Sequence, residues 1–344
     1  MKAAIYRNFG GEINIEKIED PTPSNDGVII KVKATGICRS DWHGWMGHDK
    51  DIHLPHVPGH EFAGEIVEIG SLVKNYFIGD RVTLPFVCGC GNCEPCRNGD
   101  RQICDFQYQP GFTGFGSFAE LVSIPYADLN LVKLPESIDF KEAAALGCRF
   151  ITAFRGLVDL GRAQSGQWVL ILGCGGVGLS ALMIAKVLGC KTICADINLD
   201  SLLKAKDLGA DITINTNDEL NAKQMIIDLT GGGVHISVDA LGLGDLVRFG
   251  IHCLRKRGKH IQIGLIPSGG VEIPIDQIIA KEASVQGSHG MASHRYPVIF
   301  EWISSGKLDL ANLLSTTVNL QQGIEILQKM ENISPAGIAV IEFH

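Results

Sequence analysis

The sequence predicts an α/β protein in two parts, one rich in strands and one built on a parallel sheet. Three observations carry this expectation. Over the first 145 residues, short runs with alternating apolar positions are broken by turn residues, and helical signals are weak. From about residue 150, buried-strand runs alternate with helical runs at the spacing of a parallel sheet with crossover helices. The 344 residues amount to about two domains of roughly 150 residues each.

In the first part, 27–38 (GVIIKVKATGIC), 64–70 (GEIVEIG), 79–85 (GDRVTLP) and 117–125 (SFAELVSIP) read as strands that end at turns. In the second, 168–172 (WVLIL) is a buried strand. Glycines follow it, and then a helical run over 177–189. Strands over 192–196, 211–215, 236–241 and 259–264 continue the series, with a helix over 199–209, and 283–288 supplies a sixth strand. The tail predicts helices over 296–305 and 320–331 and a last strand in AGIAVIEF.

With 45% hydrophobic and 20% charged residues the chain can bury a large core, which excludes disorder. A net charge of −8 argues against a general nucleic-acid or anionic-membrane binder. The N-terminus has no apolar signal-peptide core. The most apolar stretch, 168–190, is interrupted by glycines and splits into a strand and a helix rather than a membrane span. A soluble cytoplasmic protein is expected.

The eleven cysteines are an odd number in a reducing compartment, so a disulfide framework is not expected. Cys174, Cys190, Cys194 and Cys253 lie among apolar residues and read as core fillers. Cys90, Cys93, Cys96 and Cys104 are spaced by three, three and eight. Four thiolates on one loop can close a tetrahedral zinc shell with no position left for substrate, so this site is structural. Iron–sulfur ligation stays open from cysteines alone. Cys88 lies outside the spacing.

In VLILGCGGVGLSAL the pattern G-x-G-x-x-G falls on Gly173, Gly175 and Gly178. Alone it is a weak signal. Here it follows a strand and opens a helix, and Asp196 ends the next strand eighteen residues later. That context makes a dinucleotide-binding fingerprint of Gly173, Gly175, Gly176, Val177 and Gly178, with the helix N-terminus facing the pyrophosphate. Asp196 would accept hydrogen bonds from ribose hydroxyls and repel a 2′-phosphate, which favours NAD over NADP.

A second constellation joins Cys38, His60, Glu61 and Cys148. Thiolates, an imidazole and a carboxylate beside glycines or turns suit a zinc held by three protein ligands, with one position open to substrate.

With GHEFAGEIVEIG, GDRV, the four-cysteine lobe, GSFAEL and the glycine loop in this order, the chain resembles the zinc-containing medium-chain alcohol dehydrogenases over essentially its whole length. The resemblance implies a GroES-like catalytic domain over 1–150 and 288–344, with a doubly wound Rossmann domain over 151–287 that binds NAD. It implies two zinc ions per chain: a catalytic one on Cys38, His60 and Cys148, with Glu61 able to approach it, and a structural one on the lobe. It makes Ser40 the hydroxyl beside the substrate oxygen and His43 the group that passes the proton to solvent through the nicotinamide ribose. Arg39 is implied beside the pyrophosphate and Thr152 near the nicotinamide. Ile263 and Ser288 mark backbone at the carboxamide, and Phe86 is a wall of the substrate pocket. Ser201 and Ile338 depart from lysine and arginine positions common in the family. His48, His53 and His56, on a polar loop, are not expected to be ligands.

The implied activity is reversible hydride transfer between a primary or secondary alcohol and NAD. The partner is a small alcohol, aldehyde or ketone, with no nucleic acid and no membrane. The short connection before His60 resembles that of homotetrameric members. One alternative is a polyol (sorbitol-type) dehydrogenase, which resembles a carboxylate rather than Cys148 at the third ligand. An alternative of another class is a zinc-binding interaction module without catalysis.

Overall fold

The structure is a computed structural model that describes residues 1–217, 219–266, 270–331 and 336–344, with the backbone alone for 219 and 220. The chain divides into two compact units, Met1–Ile151 with Gly290–His344, and Thr152–His289.

The first unit opens with β1 (Lys2–Tyr6) and β2 (Ile13–Lys17), an antiparallel pair outside the predicted strands. It continues through β3 (Val28–Gly36), β4 (Glu61–Ile69), β5 (Arg81–Thr83), β6 (Leu121–Ile124) and β7 (Val132–Lys133). The second unit holds β8 (Trp168–Leu172), β9 (Lys191–Asp196), β10 (Ile212–Asn215), β11 (Val234–Asp239), β12 (Leu254–Gln262) and β13 (Ser284–Gly287). The chain then returns to the first unit with β14 (Leu314–Val318) and β15 (Ile338–Glu342).

In the first unit the main sheet runs β14-β15-β3-β4-β5-β7, with β6 also paired to β3. All its pairs are antiparallel except β14–β15. The β3–β4 register sets Gly36 opposite Glu61. Cys38 therefore leaves the sheet just where His60 enters it. In the second unit six parallel strands run β10-β9-β8-β11-β12-β13. Val169–Leu172 are fully buried, as a central parallel strand covered on both faces requires.

The structure departs from the sequence reading at several element ends. The run 117–125 narrows to β6, because Ser117 and Phe118 donate their amides to Gly59 and Pro58 instead of joining the ladder. The run 79–85 keeps only β5. β12 starts earlier than 259 and carries Arg257 at φ 59°, with a register shift against β11. The first unit also contains helices Arg39–Trp45, Glu94–Arg97, Ala127–Asn130 and Phe140–Ala144, too short to show helical periodicity. Cys174, Cys190, Cys194 and Cys253 are buried. Among the described residues, no helix is long and apolar enough to cross a membrane.

Candidate active site

The turn after β3 ends at Cys38, which caps helix Arg39–Trp45. Asp41, in the first turn, accepts a hydrogen bond from the Cys38 amide through Oδ2 at 3.0 Å. Its Oδ1 receives the Gly59 amide at 3.0 Å and lies 2.7 Å from His60 Nδ1. One buried carboxylate thus fixes a helix start, a loop and an imidazole. The other ring nitrogen, His60 Nε2, is buried and has no hydrogen-bond partner among the described residues. The ligand atoms of Cys38, His60, Glu61 and Cys148 all lie within 4.8 Å of one another.

This donor set fits zinc. An imidazole with Nδ1 on a carboxylate and Nε2 turned to a pair of sulfurs has the orientation that second-shell partners impose on metal-bound histidine. The electrostatic surroundings agree. Cys38 is held well below the ordinary thiol range, by its hydrogen bond from Cys148 and by Arg149 and His60, against the opposing effect of burial. Cys148 is pushed well up by that same bond and by burial. Burial lowers His60, but Asp41 and Cys38 outweigh burial and raise it well above an ordinary histidine.

Glu61 lies within reach of the sulfurs, but its carboxylate is held by Arg149. Its Oε1 accepts the Arg149 amide at 2.8 Å and Nε at 3.1 Å, and its Oε2 accepts Nε at 3.0 Å and also Nη2. Burial raises the carboxyl and Arg149 opposes that rise. With the carboxylate held on Arg149, two thiolates and one imidazole remain as donors. Such a set leaves a tetrahedral ion one open position. Asp41 and Arg149 are absent from the sequence reading. The available signals were a carboxylate three residues after Cys38, at a capping-box position, and a guanidinium directly after Cys148.

Around His60 stand Phe86, with ring centroids 6.0 Å apart, and Phe112, at 5.1 Å. Phe86 donates its amide to Gly147, next to Cys148. Phe112 is a second aromatic neighbour that the sequence did not reveal. Ser40 and His43 lie one turn apart on helix Arg39–Trp45, and residues three apart share a helix face. Arg39 is exposed, donates to the Met330 carbonyl at 3.2 Å and sits over the Trp42 ring.

The lobe gathers the sulfurs of Cys90, Cys93, Cys96 and Cys104 within 4.8 Å of one another. Backbone amides turn toward them: Cys90 N and Phe106 N on Cys104 Sγ, both at 3.3 Å, and Asn92 N on Cys90 Sγ at 3.4 Å. The Asn92 amide leads in drawing the Cys90 thiol down to about 7. Donors of this kind stabilise thiolates, the form that binds metal. Cys88 stands apart, in an apolar cluster with Val28, Phe62 and Leu84.

In the second unit, Gly173 takes φ 91°, and a Cβ on Gly178 would sit 1.7 Å from the Gly173 carbonyl oxygen, so only glycine fits there. A Cβ on Gly175 would meet nothing within 4 Å. Helix Gly176–Val187 begins there, with Val177 in its first turn, and no side chain caps it. Open space beside free helix-start amides is a cradle that fits a pyrophosphate. Asp196, at the end of β9, accepts the Cys174 amide at 2.6 Å and the Asn198 amide at 2.9 Å. Each oxygen keeps lone pairs for a ribose. Ser288 Oγ donates to the Thr152 carbonyl at 2.8 Å, and Ile263 N donates to the Asp239 carbonyl at 3.0 Å.

Comparison with known proteins agrees with this geometry. Residues 24–136 match the family "Alcohol dehydrogenase GroES-like domain", and residues 176–305 match "Zinc-binding dehydrogenase". An alcohol dehydrogenase of Geobacillus stearothermophilus is 32% identical over 334 residues, 96% of each chain. A sorbitol dehydrogenase of Halalkalibacterium halodurans is 32% identical over 323 residues, 92% of each chain. Two solved structures superpose with TM-scores of 0.89 at 27% identity: an E. coli CFT073 alcohol dehydrogenase complexed with NADH, over 100% of this chain and 99% of that one, and the Thermus sp. ATN1 alcohol dehydrogenase, over 100% of each. The glycine cradle, the paired cysteine sites and full-length likeness converge on one conclusion: the chain belongs to the zinc-containing medium-chain dehydrogenase family.

Proposed function

We propose that this protein is an NAD-dependent zinc alcohol dehydrogenase, which moves hydride reversibly between a primary or secondary alcohol and NAD. The observation that carries the reading is His60, clamped through Nδ1 by Asp41 while its buried Nε2 turns to the Cys38–Cys148 pair. In this reading Cys38, His60 and Cys148 hold the catalytic zinc, and Cys90, Cys93, Cys96 and Cys104 hold the structural one. Bound zinc supplies Lewis-acid stabilisation of charge on the substrate oxygen, and bound NAD supplies the hydride acceptor.

The chain's own residues supply position and proton movement. Ser40 accepts the proton of the substrate hydroxyl, and His43, one turn on, carries it outward. Arg149 keeps Glu61 off the open ligand position. Phe86 and Phe112 line the apolar side of the substrate site and keep water from it. Gly173, Gly175, Gly176, Val177 and Gly178 seat the pyrophosphate of NAD, with Arg39 adding positive charge. Asp196 holds the adenosine ribose, and Thr152, Ile263 and Ser288 position the nicotinamide.

A polyol dehydrogenase is the second reading, favoured by the Halalkalibacterium halodurans relative. NADH formation from NAD with a panel of primary alcohols, secondary alcohols and sorbitol tests both. Turnover confined to sorbitol would replace the first reading, and no turnover of any alcohol would contradict both.

We also infer a cytoplasmic homotetramer. Eleven cysteines without a disulfide suit a reducing compartment. All residues of the edge strand β13 are exposed, and so are Ile275 and Ile279 of helix Ile275–Lys281. An uncovered strand edge of this kind suits pairing with another copy. A monomer by light scattering would contradict the inference.

A further inference from the structure

Helix Arg39–Trp45 ends at Met46, and Gly47 then takes the left-handed φ of 79° that a glycine after a helix allows. The chain turns back on itself. The His48 amide donates to the His43 carbonyl at 2.9 Å. That backbone bond brings two imidazoles together, with His43 Nδ1 and His48 Nδ1 2.9 Å apart. Both rings stand edge-on to Trp42, at 5.0 Å and 5.6 Å between centroids, so one buried indole backs the pair. His43 is half-buried and His48 is exposed.

Two ring nitrogens at that separation hold one proton between them, one as donor and the other as acceptor. We propose that His48 is the outer member of a two-histidine proton relay that carries the hydroxyl proton of the alcohol from His43 to solvent. The inference rests on the reading of His43 given above. In alcohol oxidation His43 starts with its proton on Nδ1, donated to His48 Nδ1, and with Nε2 free. A proton arriving at His43 Nε2 lets the Nδ1 proton cross to His48 Nδ1. His43 is again neutral, now protonated at Nε2, and His48 is the cation. His48 releases its Nε2 proton to water, so one proton enters and one leaves. Exchange of the ring protons with water, or the reverse reaction, returns the two rings to their starting tautomers.

The charges acting on His43 support this direction of flow. Burial, His48 and Arg39 disfavour its cation, while Cys38 alone favours it. A half-buried histidine that resists keeping a charge hands the proton to an exposed neighbour. His48 does not touch the reacting atoms, and its part is to position and drain His43.

The test uses the zinc-loaded enzyme with NAD and butan-1-ol, in dilute buffer, across a pH range. His48→Gln and His48→Phe remove proton transfer, and the phenylalanine keeps a ring against Trp42. The expected result for both is a kcat for oxidation that falls up to about tenfold below neutral pH, less than the 10²–10⁴ of a direct general base. At alkaline pH the two variants match wild type, imidazole buffer restores the loss, and KM for NAD is unchanged. His43→Gln shows at least as large a loss, and the double variant shows no more than His43→Gln. NMR of 13C-histidine-labelled protein gives a readout apart from activity: His48→Gln moves the His43 titration upward. Wild-type profiles in both His48 variants beside an impaired His43→Gln would overturn the relay and leave the His43 reading standing. A pH-independent loss that imidazole does not restore would make His48 merely structural. A wild-type profile in His43→Gln would overturn the reading of His43 itself, and this inference with it.

Discussion

Asp41 makes three buried hydrogen bonds in three directions, to the Cys38 amide, the Gly59 amide and His60 Nδ1. Removing it strands three donors at once, and a carboxylate behind a metal-bound histidine typically accounts for about 10–100-fold in metal affinity. Asp41→Ala is therefore expected to lose zinc from the Cys38 site to a chelator at ten- to a hundredfold lower concentration, on the order of that second-shell effect, while the lobe keeps its ion. Competition with a chromophoric chelator reads the two sites apart, and equal retention at both would contradict the role of Asp41. In the proposed reading Asp196 is the corresponding residue for the cofactor. Its oxygens are already oriented by the Cys174 and Asn198 amides. A charged hydrogen bond to the ribose contributes roughly 1.5–3 kcal/mol, and a 2′-phosphate would lose that bond and meet repulsion as well. Asp196→Ala should raise KM for NAD more than for NADP and leave kcat less affected. The measurement is kcat/KM for both cofactors, and a wild-type preference for NADP, or an unchanged ratio in the variant, would show that discrimination lies elsewhere.

At the scale of elements, the four-cysteine lobe and the glycine loop place their groups by different means. The lobe has little regular structure beyond helix Glu94–Arg97 and a single 3₁₀ turn, Arg101–Ile103. Its sulfurs are gathered by turns and N–H···S bonds, so the ion itself contributes the folding free energy of the segment. Cys96→Ser should lower the folded yield and the thermal midpoint while the Cys38 cluster stays chemically intact. Unchanged stability with the lobe metal absent would contradict that. The glycine loop needs no ion, since β8 and helix Gly176–Val187 are held by their own burial.

Over the whole molecule, what could be read from the sequence follows from how local each signal is. The central strands of the parallel sheet, β8, β9 and β11, announced themselves because they are largely buried and apolar, as strands covered on both faces are, whereas the edge strands β10 and β13 are mostly not buried. The antiparallel unit was harder to read. β1 and β2 alternate poorly: β1 is buried over Ala3–Tyr6 and β2 is mostly exposed. Ser117 and Phe118 look like strand, yet their amides serve the loop before His60. The lobe cysteines and the loop glycines stand at telling spacings, so they could be found, whereas Cys38, His60 and Cys148 lie far apart in the chain and were joined by residue type, by their setting beside glycines or turns and by the family resemblance. Asp41, Arg149 and Phe112 act through space on His60 and Glu61, and only the β3–β4 register and the Arg149–Glu61 pair bring them into view. The pairing of His43 with His48 depends on the left-handed turn at Gly47, which a glycine permits but does not announce. The central claim is that two metal sites in this chain serve different ends. It is tested most directly by counting zinc in wild-type and Cys38→Ser protein and measuring NADH formation on the same samples. The account predicts two zinc ions per chain in the active wild type, and in Cys38→Ser a folded protein that keeps the lobe zinc and makes no NADH. Full wild-type activity with one zinc or none, or undiminished turnover in Cys38→Ser, would contradict it.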